Sequence, residues 1–254
     1  MTNPTLVIVH GASHTGEHFV PLANALQAAG FTNVCNPHTA AGSKPAVTSF
    51  DPDAAHIRDT VTKCVDSGED VAAIMHSYGG APSCEAVGGL SKEDRAKEGK
   101  TGGVTRMIFI TSLVLPEGTT VQNNPLNPPT DPVNQKFLGN PSLLKFEEGF
   151  GTVLDGKEWF YNDMSDEEAA TWSAKMVPQA VGVMMSPLTY PAYFHIPSLY
   201  LLCEKDNGLP FASQRRMVEF AGIEDTLTLD SGHSPYLSRI DETVGFISRA
   251  VGKV

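Results

Sequence analysis

The chain has 254 residues, 41% of them hydrophobic and 19% charged, a globular balance that excludes disorder, collagen-like repeats and a coiled coil. Eighteen basic against twenty-nine acidic residues leave a formal net charge of -11. With no Lys/Arg-rich stripe to offset that charge, nucleic-acid phosphate and anionic lipid are excluded as partners.

Short apolar runs alternate with longer helical patterns, the form of a parallel sheet covered by helices on both faces. Residues 5–9 are expected as a buried strand. Phe19, Leu22, Ala23, Leu26 and Ala29 then share a helical face that stops at Gly30, and residues 31–35 form a second strand. Asp51-Pro52 reads as an N-cap with proline at the first helical position, ahead of an apolar stripe of Ile57, Val61, Cys64 and Val65. A strand at 71–75 runs directly into Ser77-Tyr78-Gly79-Gly80 and a helix to about Leu90. The charged, glycine-ended stretch 91–103 reads as a solvated connection. Strands follow at 104–111, 196–203 and 226–229, with helices near 211–220 and through Ile240, Val244, Ile247 and Val251. Six strands alternating with helices predict an α/β fold built from residues 1–115 and 196–254.

Residues 116–195 interrupt that alternation. Pro125, Pro128, Pro129, Pro132 and Pro141 forbid a sheet strand early in the segment, and Ser165-Asp166-Glu167-Glu168 is a capping box ahead of Ala169, Trp172 and Met176. An insertion at the carboxyl end of a parallel strand lies where ligands bind, so the segment is expected to be a cap.

The chemistry concentrates at three strand ends. Ser77 follows one strand and opens a helix, the place of a nucleophile raised on a strained turn. Such a turn wants small residues two before and two after the serine; Gly79 complies and Met75 does not. A serine hydroxyl is a weak nucleophile until a base takes its proton and an acid orients the base. His233, in Leu229-Asp230-Ser231-Gly232-His233, stands just past the last strand, whereas His18, His38, His56 and His195 read as surface or helix polar residues. Asp206 has the loop position from which a carboxylate turns toward that base; Glu204, nearer the strand, and Asp230, three residues before the histidine, are its rivals. Backbone N–H groups of Tyr78 and of Ala12, in Val9-His10-Gly11-Ala12-Ser13-His14, are placed to hold a developing oxyanion. Ser13 and His14 would line the pocket floor. His10, His14 and His18 recur every fourth residue, but the first ends a strand, so a metal site is not expected.

These segments, H-G-A-x-H, H-S-Y-G-G, L-L-C-E-K-D and S-G-H-S-P-Y, resemble the α/β-hydrolase superfamily. More narrowly, they are similar to the plant methylesterase and hydroxynitrile lyase group and its fungal secondary-metabolism relatives. The resemblance implies a six-stranded α/β-hydrolase fold, a Ser77–His233–Asp206 triad, oxyanion donors at Ala12 and Tyr78, and no cofactor. Lyases of this type carry threonine where Gly11 stands and lysine where Ser234 follows His233, so the resemblance favours ester or lactone hydrolysis over cyanohydrin cleavage. Proton-transfer catalysis on a polyketide-like metabolite, by a lyase or isomerase, and non-catalytic ligand binding are the alternatives. Gly11, Trp159 and Met184 join Ser13 and His14 as candidate substrate contacts. Together with Tyr161, Trp172 and Met185 they suggest an apolar or aromatic substrate group.

Four widely spaced cysteines, Cys35, Cys64, Cys84 and Cys203, read as reduced thiols. No basic leader precedes the first apolar run, and no stretch approaches the roughly 20 apolar residues of a membrane span. A cytoplasmic protein is expected.

Overall fold

The computed structural model describes residues 3–36, 39–138 and 140–252; His38 lies outside them. Strand β1 (Thr5–Val9) leads through α1 (Val20–Ala28) to β2 (Asn33–Asn36), and α2 (Asp51–Asp66) leads to β3 (Asp70–His76). Helices α3 (Gly80–Ala86) and α4 (Lys92–Lys97) precede β4 (Gly103–Ile110). After the 116–195 segment come β8 (Ser198–Cys203), α8 (Phe211–Ala221), β9 (Asp225–Leu229), α9 (Pro235–Ser238) and α10 (Ile240–Ala250). The sheet order is β2-β1-β3-β4-β8-β9, and every pairing is parallel.

Every residue of β1 is buried, because a parallel sheet is covered on both faces. Side chains alternate along it: Val7 and Val9 join one apolar cluster with Ala73 and Met75, while Leu6 and Ile8 join the other with Ala72 and Ile74. The chemistry-bearing loops emerge at the carboxyl ends of β1, β3, β8 and β9.

Three local expectations are corrected. Helix α2 begins at Asp51, with Phe50 as its cap, so Asp51 lies in the first turn rather than capping it. The helix after Ser77 closes at Ala86, because the chain turns through Gly88 and Gly89, the latter at φ 72°. Stretch 91–103 is not wholly solvated. Ser91 accepts the Asp94 N–H and starts α4. Arg95 is then buried, donating to the carbonyls of Gly102 and Val65 and to Asp66.

Residues 116–195 contain α5 (Pro132–Leu138), β5 (Leu144–Glu147), β6 (Phe150–Val153), α6 (Gly156–Phe160), α7 (Asp166–Ser173) and β7 (Gln179–Ala180). No sheet was expected here, yet β5, β6 and β7 pair antiparallel. Glu148 and Gly149, both at positive φ, form the two-residue turn between β5 and β6. The segment has its own small core of Phe137, Trp159, Phe160, Tyr161 and Ala169. Ser165 caps α7 with both reciprocal bonds of the capping box. Among the described residues no helix is long and apolar enough to cross a membrane, and all four cysteines are free thiols.

Candidate active site

Ser77 stands at φ 52°, left-handed backbone that costs a non-glycine residue of order 1–3 kcal/mol. The surroundings enforce it. A Cβ on Gly79 would lie 2.8 Å from the His10 carbonyl, and one on Gly80 only 2.3 Å from that of Leu113. The chain therefore crosses itself where only glycine fits. Met75 is accommodated in the core, fully buried in one cluster with Val7, Val9 and Ala73. The Ser77 carbonyl is tied down by the Leu113 N–H and the Ser112 hydroxyl, each at 2.9 Å. The ring of Tyr78 runs inward and donates its hydroxyl to Asp53 at 2.8 Å. Asp53 also accepts from the backbone of Thr39 and Ala40.

The loops after β8 and β9 bring Asp206 and His233 together, both almost wholly buried. His233 Nδ1 lies 2.9 Å from each Asp206 oxygen. A carboxylate only accepts, so Nδ1 carries the proton of that bond. Asp206 accepts further from the N–H groups of Gly208 and Leu209 and from the Gln214 amide, at 2.7, 2.8 and 3.0 Å. Its rivals lie elsewhere: Glu204 is exposed and Asp230 pairs with Lys205 at the surface.

His76 was not singled out from sequence. Its Nε2–H donates to the His233 carbonyl at 2.9 Å, and its ring lies 4.6 Å from that of His233. Thr111 adds a hydroxyl to the same carbonyl at 3.3 Å. Burial, then the neighbouring charge His233 would carry, pushes the His76 pKa well below the ordinary histidine value. It is thus a neutral strut between β3 and His233.

The loop after β1 closes the other side. A Cβ on Gly11 would sit 2.8 Å from both Ser77 Cβ and His76 Nδ1, so the loop reaches the serine because residue 11 has no side chain. Ala12 is half-buried beside it, and Ser13 takes φ 62°. His14 offers no free nitrogen. Its Nδ1–H donates to the Ala12 carbonyl at 2.7 Å and its Nε2 accepts the Tyr161 hydroxyl at 2.9 Å. Burial, then His18, pushes its pKa well down. His18, expected as a surface or helix polar residue, lies in the short helix Gly16–Phe19 and is buried, where it accepts the Thr15 N–H and donates to the Trp172 carbonyl. His56 and His195 are exposed. Among the described residues no group of three or more His, Cys, Asp or Glu is arranged to hold a metal ion.

A profile described as "Alpha/beta hydrolase family" matches residues 6–246. The chain belongs to that family. This hydrolase is 31% identical, over 100% of its length and 98% of the relative's, to alpha/beta hydrolase nvfD of Aspergillus novofumigatus. It is 25% identical to methylesterase 9 of Arabidopsis thaliana across 72% of its own chain and 71% of the plant protein. An extracellular alpha/beta-hydrolase from a Paenibacillus species has the same fold, with TM-score 0.76, 15% identity, and coverage of 98% and 99% of the two chains.

The 116–195 segment of the hydrolase reaches this site through α6. Phe160 lies against His233 with ring centroids 5.1 Å apart, and Trp159 stacks behind it, between Phe160 and Phe137 at 5.2 and 5.0 Å. Trp159 is therefore one ring removed from the histidine. Met184 is partly buried against the main core. Two cross-links fasten α6 and its exit to the Asp206 loop: Asn207 donates to the Glu158 carbonyl at 2.9 Å, and Asn162 to that of Lys205 at 2.8 Å. Tyr161 stood in the sequence only among the aromatic residues that suggest an apolar substrate group, and Phe160, Asp53, Gln214 and Gln179 carried no local pattern that would have marked them.

Proposed function

We propose that this hydrolase cleaves small carboxylic esters or lactones through an acyl-enzyme on Ser77. The observation that carries the reading is the Asp206–His233 pair, buried and bonded at 2.9 Å, with its histidine ring against His76, the residue before a serine on strained backbone. The likeness to methylesterase 9, a relative named as an esterase, supports it.

In this reading His233 takes the Ser77 proton as Oγ attacks the ester carbonyl. The N–H groups of Ala12 and Tyr78 hold the oxyanion, and Asp206 stabilises the imidazolium. The imidazolium gives its proton to the leaving alcohol. Water then enters by the same route in reverse, releasing the acid and restoring the serine. Residues 116–195 act as the cap, with Phe160 shielding the base from solvent. The apolar covering suits an apolar or aromatic substrate group, with Gly11, Ser13, His14, Trp159 and Met184 in or behind the pocket wall. Four unpaired thiols suit a cytoplasmic location.

The test is intact mass after exposure to a fluorophosphonate. One adduct on the natural protein and none on Ser77→Ala or His233→Ala is expected. An unlabelled natural protein, or an adduct that persists in Ser77→Ala, overturns the acyl-enzyme.

A further inference from the structure

Gln179 ends the 116–195 segment's reach toward the oxyanion loop. It lies on β7, paired with Gly151 of β6 and bridged to Ala41 of the core. From there its side-chain oxygen accepts the Ser13 N–H at 3.1 Å. That bond fixes the orientation of the carboxamide: the oxygen must face Ser13, so the nitrogen faces away with two N–H donors. The residue is 3% exposed, and Nε2 has no hydrogen-bond partner.

The nearby backbone does not absorb these donors. The carbonyls of Ser13, Ala40 and Pro178 are already engaged by the N–H groups of Val177, Ala180 and Gly42. A buried donor left without an acceptor costs about 1–3 kcal/mol, so an unpaired one in a native fold calls for an explanation. Its place supplies one. Ser13 follows Ala12, and Gly11 touches Ser77. The same corner holds the other donor residue, since Ala40 bonds both Ala180 of β7 and Asp53, the partner of Tyr78.

We propose that Gln179 Nε2 is a specificity-determining donor that binds a second oxygen of the substrate, a few bonds from the scissile carbonyl. A neutral amide, with the Asp53 carboxylate in the same corner, suits an uncharged acceptor, a ketone or ester carbonyl, and not a carboxylate or phosphate. The preferred substrate class is then an ester or lactone whose acyl group carries a further carbonyl close by, as in a β-keto ester. The inference rests on the acyl-enzyme reading above.

The experiment compares inactivation rates with two probes, hexyl fluorophosphonate and its 2-oxohexyl counterpart, on the natural protein and Gln179→Met. The 2-oxo/plain rate ratio is expected to fall about tenfold in the variant, the worth of one good hydrogen bond. Gln179→Glu, assayed at pH 9, keeps an acceptor for Ser13 and replaces the donor, so it should lower the ratio at least as far. A ratio that stays constant while both rates fall together overturns the proposal, because a merely structural role moves both probes alike. Failure of the natural protein to react with either probe overturns the acyl-enzyme instead, and this inference with it.

Discussion

Asp206 and Phe160 both lie against the His233 ring, yet they are held there by different means. Asp206 belongs to the loop after a central strand. Two backbone N–H groups two and three residues further on grip it, so its position follows from the path of its own chain. Phe160 belongs to a segment with a separate small core, joined to the Asp206 loop by side-chain-to-carbonyl bonds, Asn207 to Glu158 and Asn162 to Lys205. Asp206 is fixed by the backbone beyond a strand end. Phe160 is fixed by a separate core and by side chains reaching distant carbonyls, which makes its segment the weaker and more adaptable half.

Five measurements would break or sharpen that contrast. The largest effect is expected for Asp206→Asn, which keeps an acceptor for the Gly208 and Leu209 N–H groups but leaves the wrong tautomer on His233; kcat for ester hydrolysis should fall about 10³–10⁴-fold. A fall of less than tenfold would mean that the backbone-held acid is not what orients the base. Phe160→Ala should cost about 3 kcal/mol in the covering core. Hydrogen exchange of α6 and α7 amides should accelerate while β3 and β4 keep their protection. Equal loss in both regions would make the two halves one cooperative unit.

Tyr161→Phe removes the donor to His14 Nε2 across the same boundary and should cost about 1–2 kcal/mol. The neighbouring histidines add a pH signature. His14 and His76 bind protons less readily folded than unfolded, because burial disfavours their charged forms. Stability from them is complete above the unfolded value near 6.5 and is lost as pH falls through 6.5 toward the depressed folded values. Melting temperature should be level from about pH 7 to 8 and decline below about 6.5; a flat profile down to pH 5 would contradict neutral buried rings. The smallest effect belongs to Ser165→Ala. Loss of the α7 cap should cost about 1 kcal/mol, visible as faster exchange in α7 alone.

The strands and the loops after them were legible because their signals are local. Residues 5–9 read as a buried strand from a run of apolar residues, and Ser77 was marked by what immediately precedes and follows it. The same local logic misjudged 91–103, where a charged stretch conceals Arg95, buried because carbonyls of Val65 and Gly102 are within its reach. It missed the three-stranded sheet of residues 144–180, whose strands are two to four residues long and carry no clear alternation. His14 was legible only from its loop; the bond that orients its ring comes from Tyr161, 147 positions away.

The sequence by itself determined the alternation of strands and helices, the placement of Ser77, Asp206 and His233 past strand ends, and the order in which they come. Hydrophobic period, capping and glycine geometry act over a few residues, so they are written where they operate. The tertiary structure decided which acid among Glu204, Asp206 and Asp230 meets the histidine, that His76 braces it, that Phe160 rather than Trp159 touches it, and that Gln179 reaches Ser13. Each of these depends on burial and on a partner from a distant part of the chain, and such pairings exist only once the sheet has brought its loops to one edge.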